Sequence, residues 1–368
     1  MFNKKKRPFD PVMFFAVVAL VLGGFLVFMS ASLGLLAQDG AQFSDIASSQ
    51  FLLGVVGGFA ALYITSHIPY RFWRHYSLYI FIGSALLMLL VFVPGIGLEL
   101  NGARRWIDLG ITTVQPAEFL KIAYILYLAT WLSQRKSKKR PFLHRVAPFS
   151  IITGVAALLL LIQPDTGTFL VLATAGGAIY FASGAKLKDI ALLGLIGVIA
   201  LSGLLFSRDY ALNRLQTFIN PAADPLGAGY QIKQSLIAVG SGKTFGRGFG
   251  QSVQKFNYLP EPTSDSIFAV FAEEFGFLGS ALLVLGFTIF SLRGLWLAAR
   301  APDMFGGLVT LGIAILIFVQ SFLNIASMLA ILPLTGLPLI FISHGGTALF
   351  TALASVGILL NISRFKRT

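Results

Sequence analysis

Long apolar runs, interrupted at intervals by short polar or basic segments, dominate the chain. Ten such runs lie at about 11–34, 50–68, 76–93, 116–132, 146–162, 167–183, 190–206, 266–292, 305–325 and 342–362. Each is close to the ~20 residues an α-helix needs to cross ~30 Å of hydrocarbon. Pro116 suits the first turn of the fourth run, and Gln163-Pro164 stops the fifth. The pattern predicts an all-α, polytopic membrane protein of about ten transmembrane helices. One long polar connection, 207–265, separates helices seven and eight. Residues 1–10 form a basic tail, 11–362 a single transmembrane domain and 363–368 a second tail; no internal repeat, low-complexity segment or soluble domain is evident.

Composition sharpens this reading. The 368 residues are 56% hydrophobic and only 12% charged, with mean hydropathy +0.80. That is too little charge to cover a soluble domain of this length. The net charge of +13 therefore points to basic cytoplasmic loops, not to nucleic acid. With the N-terminus in the cytoplasm, the cytoplasmic segments carry 19 Lys or Arg and the outer ones 8, with Lys121 inside the fourth run. The first run is too long for a signal-peptide core and is read as a retained span. There is no cysteine, which excludes disulfides, thiol nucleophiles and Cys-bound metals. His67, His75, His144 and His344 match no metal-ligand spacing.

On that orientation the unusual polar residues gather on the outer side. Asp265 stands where the long loop meets the eighth run, and an acid at that depth is costly unless wet, paired or useful. Its plain alternative role is a helix cap, shared with Ser264. Arg104 and Arg105, beside Trp106 in NGARRWIDLG, offer donor forks suited to phosphate or pyrophosphate; the alternative is anchoring at lipid headgroups. Glu118 and Lys121 are three residues apart in QPAEFLK and share a helix face, either as a structural ion pair or as a functional pair. Asp165 in QPDTGT is expected first as a cap of the sixth helix. Lys243 and Arg247 stand among the glycines of 226–250, where the spacing fails for a P-loop. Residues 231–239 read as an interfacial or re-entrant helix. Broken helix ends at a cavity mouth would explain the Pro and Gly clustered in 324–346. His344 there is better suited to a structural hydrogen bond than to proton transfer.

From about 102 to 346 these segments resemble the SEDS family, whose members include FtsW and RodA. The resemblance is carried, in order, by NGARRWIDLG, QPAEFLK, QPDTGT, DPLGAGYQIKQSLIAVGSG, GFGQSVQKFNYLPE, SIFAVFAEEFGFLG and ILPLTGLPLIFISHGGTAL. QSVQK and the QPAEFLK form lean toward the FtsW branch. The resemblance implies a peptidoglycan glycosyltransferase of the bacterial cytoplasmic membrane, acting in division or elongation. Its substrate would be lipid II, an undecaprenyl-pyrophosphate disaccharide-pentapeptide, and its partner a class B penicillin-binding protein. The family's key aspartate falls on Asp265. The chain reads YLPEPTSDSIF there, so Thr263, Ser264 and Ser266 replace the usual neighbours of the acid. The usual SYGG likewise appears as Ser343-His344-Gly345-Gly346.

The implied chemistry is attack by a sugar hydroxyl on an anomeric carbon that carries a lipid pyrophosphate. Asp265 would be the general base. Arg104, Arg105, Lys243 and Arg247 would meet the leaving pyrophosphate. Trp106, Glu118, Lys121, Asp165 and Glu261 complete the expected substrate-binding set. Direct inverting displacement needs one carboxylate, unlike the paired acids of many hydrolases. A divalent cation, Mg or Mn, is an expected assistant, although no ligand set is visible. The competing readings are a lipid II flippase, with Glu118, Lys121, Glu273 and Glu274 lining a polar route, and a scaffold that recruits a transpeptidase. A secondary ion transporter fits less well, because inverted halves are not evident.

Overall fold

The computed structural model describes residues 8–37, 40–100, 103–110, 112–134, 142–207, 209–221, 224 and 227–367. Lys4, Lys5, Lys6, Arg7, Asp39, Asn101, Gly102, Arg208 and the 135–140 part of the basic loop lie outside them. A helix occurs at each of the ten expected runs. In order they are α1 (Pro11–Leu36), α2 (Gly40–Ser49) running through a π-helical stretch (Gln50–Gly57) into α3 (Gly58–His67), α4 (Tyr70–Leu90) and α5 (Pro116–Ser133). Next come α6 (Phe142–Ile162), α7 (Thr166–Ala182) and α8 (Leu187–Ser207). The long connection contributes α9 (Asp209–Ile219) and α10 (Ala228–Ser241) before α11 (Ile267–Ala299), α12 (Met304–Met328) and α13 (Gly346–Ser363). Among the described residues, five helical segments are by themselves long and apolar enough to cross a membrane, and two shorter apolar helices, 146–162 and 166–182, accompany them.

Local chemistry sets the helix starts. Asp10, Asp165 and Asp303 each accept a bond from the first turn of α1, α7 and α12, from the N–H groups of Met13, Thr168 and Gly306. Proline opens α1 and α5. α12 and α13 form the centre of the bundle: 67% and 89% of their apolar windows are buried, against 39% for α1 and 22% for α11. Leu22, Leu26, Leu278, Leu282 and Leu285 on those two outer helices are exposed, as lipid-facing side chains would be.

Three features depart from a plain helical reading. The 94–115 connection, expected as a loop, forms a small antiparallel sheet in the order β1-β2-β3 (Gly97–Leu100, Ala103–Asp108, Thr113–Val114). The last helix starts at Gly346 instead of 342, because 329–345 is a non-helical segment folded back into the bundle. Leu337, Leu339, Ile340, Phe341 and Ile342 of that segment are all buried. Its backbone is satisfied by side chains: Gln320 Nε2 donates to Pro338 O, Asn324 Nδ2 to Leu337 O and Gln50 Nε2 to Ser343 O, while Gly345 N donates to Gln50 Oε1. Irregular backbone at membrane depth survives only when protein encloses and pairs it in this way.

The third feature is a break in α11. At Gly276 (φ 66°, ψ −164°) the chain leaves helical geometry, so two turns from Ile267 precede the 277–299 span. Phe277 N and Leu278 N turn to the carbonyls of Lys243 and Thr244, and Arg247 N and Gly248 N bond those of Glu273 and Glu274. A Cβ at Gly276 would strike the Gly246 nitrogen. Gly276→Ala is therefore expected to cost at least ~1–3 kcal/mol from backbone strain alone. A lowered thermal unfolding midpoint in detergent checks this, and an unchanged midpoint would contradict it.

Candidate active site

Asp265 is not a helix cap. Ser266 precedes α11, and no side chain caps its first turn. The Ser266 hydroxyl instead accepts from Gln231 Nε2 on α10. Three successive carbonyls approach the helix, and each is held from the α12–α13 side. Thr263 O accepts from His344 N (2.7 Å), Ser264 O from Ser343 Oγ (2.6 Å) and Asp265 O from Asn324 Nδ2 (2.8 Å). The main chain of Asp265 is thus fixed while its carboxylate stays available.

That carboxylate is half-buried beside Gly336, whose φ of 66° suits glycine. A Cβ placed on Gly336 would lie 3.5 Å from Asp265 Oδ2 and 3.4 Å from Arg214 Nη2. Acid and guanidinium therefore border one small open space. The Asp265 pKa rises to about 6. Burial is the leading cause, and the charges of Glu261 and Asp165 add to it; Arg214 and Arg105 pull the other way. The surface exposure of Asp265 and its enclosed surroundings are reconciled by this geometry: one edge is open, and the rest is packed in protein.

The sequence-derived residues separate into groups. Arg104 and Arg105 are neighbours on β2 at a bulge in its pairing with β1, where Arg105 is the unpaired extra residue, and the two take different partners. Arg104 pairs with Glu99 on the exposed side of the sheet (3.1 Å), and Trp106 stands opposite Leu98. Arg105 turns inward and donates to Gln163 O (3.0 Å) and Pro164 O (2.6 Å), which places its charge within reach of Asp265. The expected paired fork is thus split. Asp165 is the cap of α7 (Thr168 N to Oδ1, 3.1 Å) and adds negative charge near Asp265. Glu261, at φ 50°, accepts from the Ser264 hydroxyl (2.8 Å) on the exposed rim.

Glu118 and Lys121 form a buried pair inside the bundle (2.8 Å). Lys121 Nζ also donates to Gln320 Oε1 (2.7 Å), and Thr351 Oγ1 donates to Glu118 Oε2 (3.3 Å). Lys243 and Arg247 are exposed beside the Gly276 break. Arg247 reaches Glu273 (3.5 Å), eight residues along α11 from Asp265, or ~12 Å by helix rise. The structure does not gather these two bases at the acid. Lys255 is fully buried against Glu274 (2.8 Å) and Ser30 (3.1 Å). Among the described residues no cluster of three or more His, Asp or Glu has the makings of a metal site.

Sequence reasoning missed Arg214, Asn324 and Gly336. Arg214 lies on the amphipathic α9, and nothing local marks it as a partner of a residue 51 positions away. Asn324, an amide within an apolar run at 1% exposure, was the stronger clue.

These features define a multi-pass helical membrane protein with a carboxylate–arginine site at one end of its bundle. The profile of the family described as "Cell cycle protein" (FtsW/RodA/SpoVE) matches residues 11–368. The chain is 38% identical to stage V sporulation protein E of Bacillus subtilis (strain 168), with both chains covered completely. It is 37% identical to a probable peptidoglycan glycosyltransferase FtsW of Geobacter sp. (strain M18), over 98% of each chain. In structure it is similar to a chain of a peptidoglycan synthase complex in which polymerization and crosslinking are coordinated (TM-score 0.78, 27% identity, 97% of this chain and 98% of that one). It is also similar to the rod shape determining protein RodA of Thermus thermophilus (TM-score 0.70, 26% identity, 97% of each). The chain belongs to the FtsW/RodA/SpoVE family, that is, to the SEDS proteins.

The Glu118–Lys121 pair can be tested as structure. Lys121→Met leaves a buried carboxylate without its cation and is expected to cost ~3–5 kcal/mol. Glu118→Leu with Lys121→Met should recover most of that loss, read as unfolding midpoints in detergent. If the double variant is as unstable as the single one, the structural account fails.

Proposed function

We propose that this protein is a peptidoglycan glycosyltransferase that polymerises lipid II on the outer face of the bacterial cytoplasmic membrane. Asp265 acts as general base. The observation that carries this reading is an acid freed from capping, anchored through its own carbonyl and set beside Arg214 and Arg105. Support also comes from relatives named as probable peptidoglycan glycosyltransferases and from the likeness to a peptidoglycan synthase complex.

The chemistry needs a proton taken from an acceptor sugar hydroxyl and stabilisation of a departing pyrophosphate. A carboxylate with its pKa near 6 is ionised at neutral pH yet far more basic than a solvated Asp at ~3.9. Arg214 and Arg105 supply positive charge on the same side, where fixed donors favour a developing phosphate charge. A Mg2+ or Mn2+ ion brought in on the pyrophosphate is compatible with this site, since substrate oxygens and water provide most ligands of such ions. Both chain termini are cytoplasmic in this reading, in line with the basic loops. The partner is a class B penicillin-binding protein.

The charged residues a flippase route would require are committed elsewhere. Glu118 is bonded to Lys121, Glu273 to Arg247 and Ser252, and Glu274 to Lys255 and Ser30. This counts against the transporter reading. A pure scaffold would tolerate loss of the acid.

Purified protein with its partner should polymerise lipid II, and Asp265→Asn should lower the rate by ~10²–10⁴ with little change in stability. The folded pKa is raised, so the base form dominates above it and the wild-type rate should fall as pH drops through about 6. Undiminished polymer from Asp265→Asn, or a flat profile between pH 5 and 7, would remove Asp265 from the mechanism.

A further inference from the structure

Between α1 and α11 runs an apolar groove of about 960 Å³. On α11 its wall is Phe275, just before the break, and then Gly279, Leu282, Gly286 and Ile289, spaced by threes and fours along one helix face. The same spacing continues without interruption to Arg293, Trp296 and Arg300. On α1 the wall extends from Pro11 to Val27, ~24 Å of helix. Glycine keeps the slot open, and a Cβ at Gly23 would meet nothing within 4 Å.

The groove ends at a cluster of cations. Arg293 and Arg300 stack on Trp296, with guanidinium carbons 4.0 and 4.1 Å from the ring centre, and Lys366 Nζ lies 5.1 Å from it. Asp10, fully buried next to Pro11, closes the floor with bonds to Arg293 (2.7 Å) and Lys366 (3.1 Å). The carboxylate thus meets two of the three cations, and the third, Arg300, is exposed on the ring of Trp296. The slot is apolar along its length and has a cationic mouth. Both properties favour a ligand of slender apolar chains and an anionic head.

We propose that the α1–α11 groove and the Arg293–Trp296–Arg300 face form a binding site for one anionic phospholipid, taken from the leaflet that meets the N-terminus. Its acyl chains occupy the groove, and its phosphate sits on the arginines. The aromatic ring holds both guanidinium planes in place, and cations close to a membrane surface draw acidic headgroups. The site is separate from Asp265 and stands whether or not the glycosyltransferase reading does.

The test uses the full chain in nanodiscs of equimolar phosphatidylcholine and phosphatidylglycerol, stripped by mild detergent, with retained lipids counted by native mass spectrometry. Wild type is expected to retain one phosphatidylglycerol in preference to phosphatidylcholine. Arg300→Gln should lower that retention about fivefold, the effect of one surface cation, while Arg300→Lys stays close to wild type. Gly23→Phe should abolish retention by filling the slot. Unfolding midpoints in pure phosphatidylcholine confirm that each variant is folded. Equal retention of the two lipids by wild type, or unchanged retention in folded Arg300→Gln or Gly23→Phe, would overturn the site. So would a partner's membrane helix, instead of lipid, crosslinking to a photoreactive Gly23→Cys adduct.

Discussion

A backbone that is neither helix nor sheet can lie deep in a bilayer protein only if side chains pair its polar groups. Here that requirement falls on three amides, Gln50, Gln320 and Asn324, which stitch 329–345 into the bundle. The site depends on this stitching. The folded-back segment brings Gly336, Ser343 and His344 to the approach to α11, where Ser343 and His344 hold the carbonyls of Ser264 and Thr263. Asn324 bonds Leu337 O and Asp265 O at once, so a single amide locks the folded segment to the acid.

The same arrangement explains the electrostatics. A capping aspartate would spend its oxygens on the first turn of the helix and titrate low. Asp265 is spared that role, and burial with Glu261 and Asp165 nearby outweighs the two arginines. Folding therefore binds the proton of this group more tightly than the unfolded chain does. The stability it contributes is complete at acid pH, below the unfolded value, and is lost as pH rises through about 6. Asp10, at the other end of the bundle, is the opposite case. Burial alone would raise its pKa, but bonds from Arg293, the Met13 amide and Lys366 prevail and hold it down at about 2.

Much of the architecture was readable because hydrophobic length is a strong, local signal: every expected run coincides with a helix to within a few residues at most ends. The cap at Asp165 and the ion pair of Glu118 with Lys121 were readable for the same reason, since both arise within one turn. What escaped was non-local. The small sheet separates Arg104 from Arg105, because its pairing with 97–100 bulges at Arg105 and leaves Arg104 to Glu99 while Arg105 turns to the carbonyls of Gln163 and Pro164. Lys243 and Arg247 looked like phosphate ligands among glycines, yet two of those glycines, Gly242 and Gly246, serve a close approach to the backbone of 272–276. Arg214 could be placed at the acid only by the course of the whole 207–265 connection.

The interruption at Gly276 gives α11 two mechanically distinct parts. Its first two turns are tied to the loops through Glu273 and Glu274, with Lys255 and Ser30 completing the tie. The remainder, 277–299, faces lipid along much of its length. A membrane that thickens, thins or changes its tilt preference acts on the second part. The break, itself pinned by Phe277 N and Leu278 N to the carbonyls of Lys243 and Thr244, leaves the first part, and the acid at its head, registered to the rigid interior of the bundle.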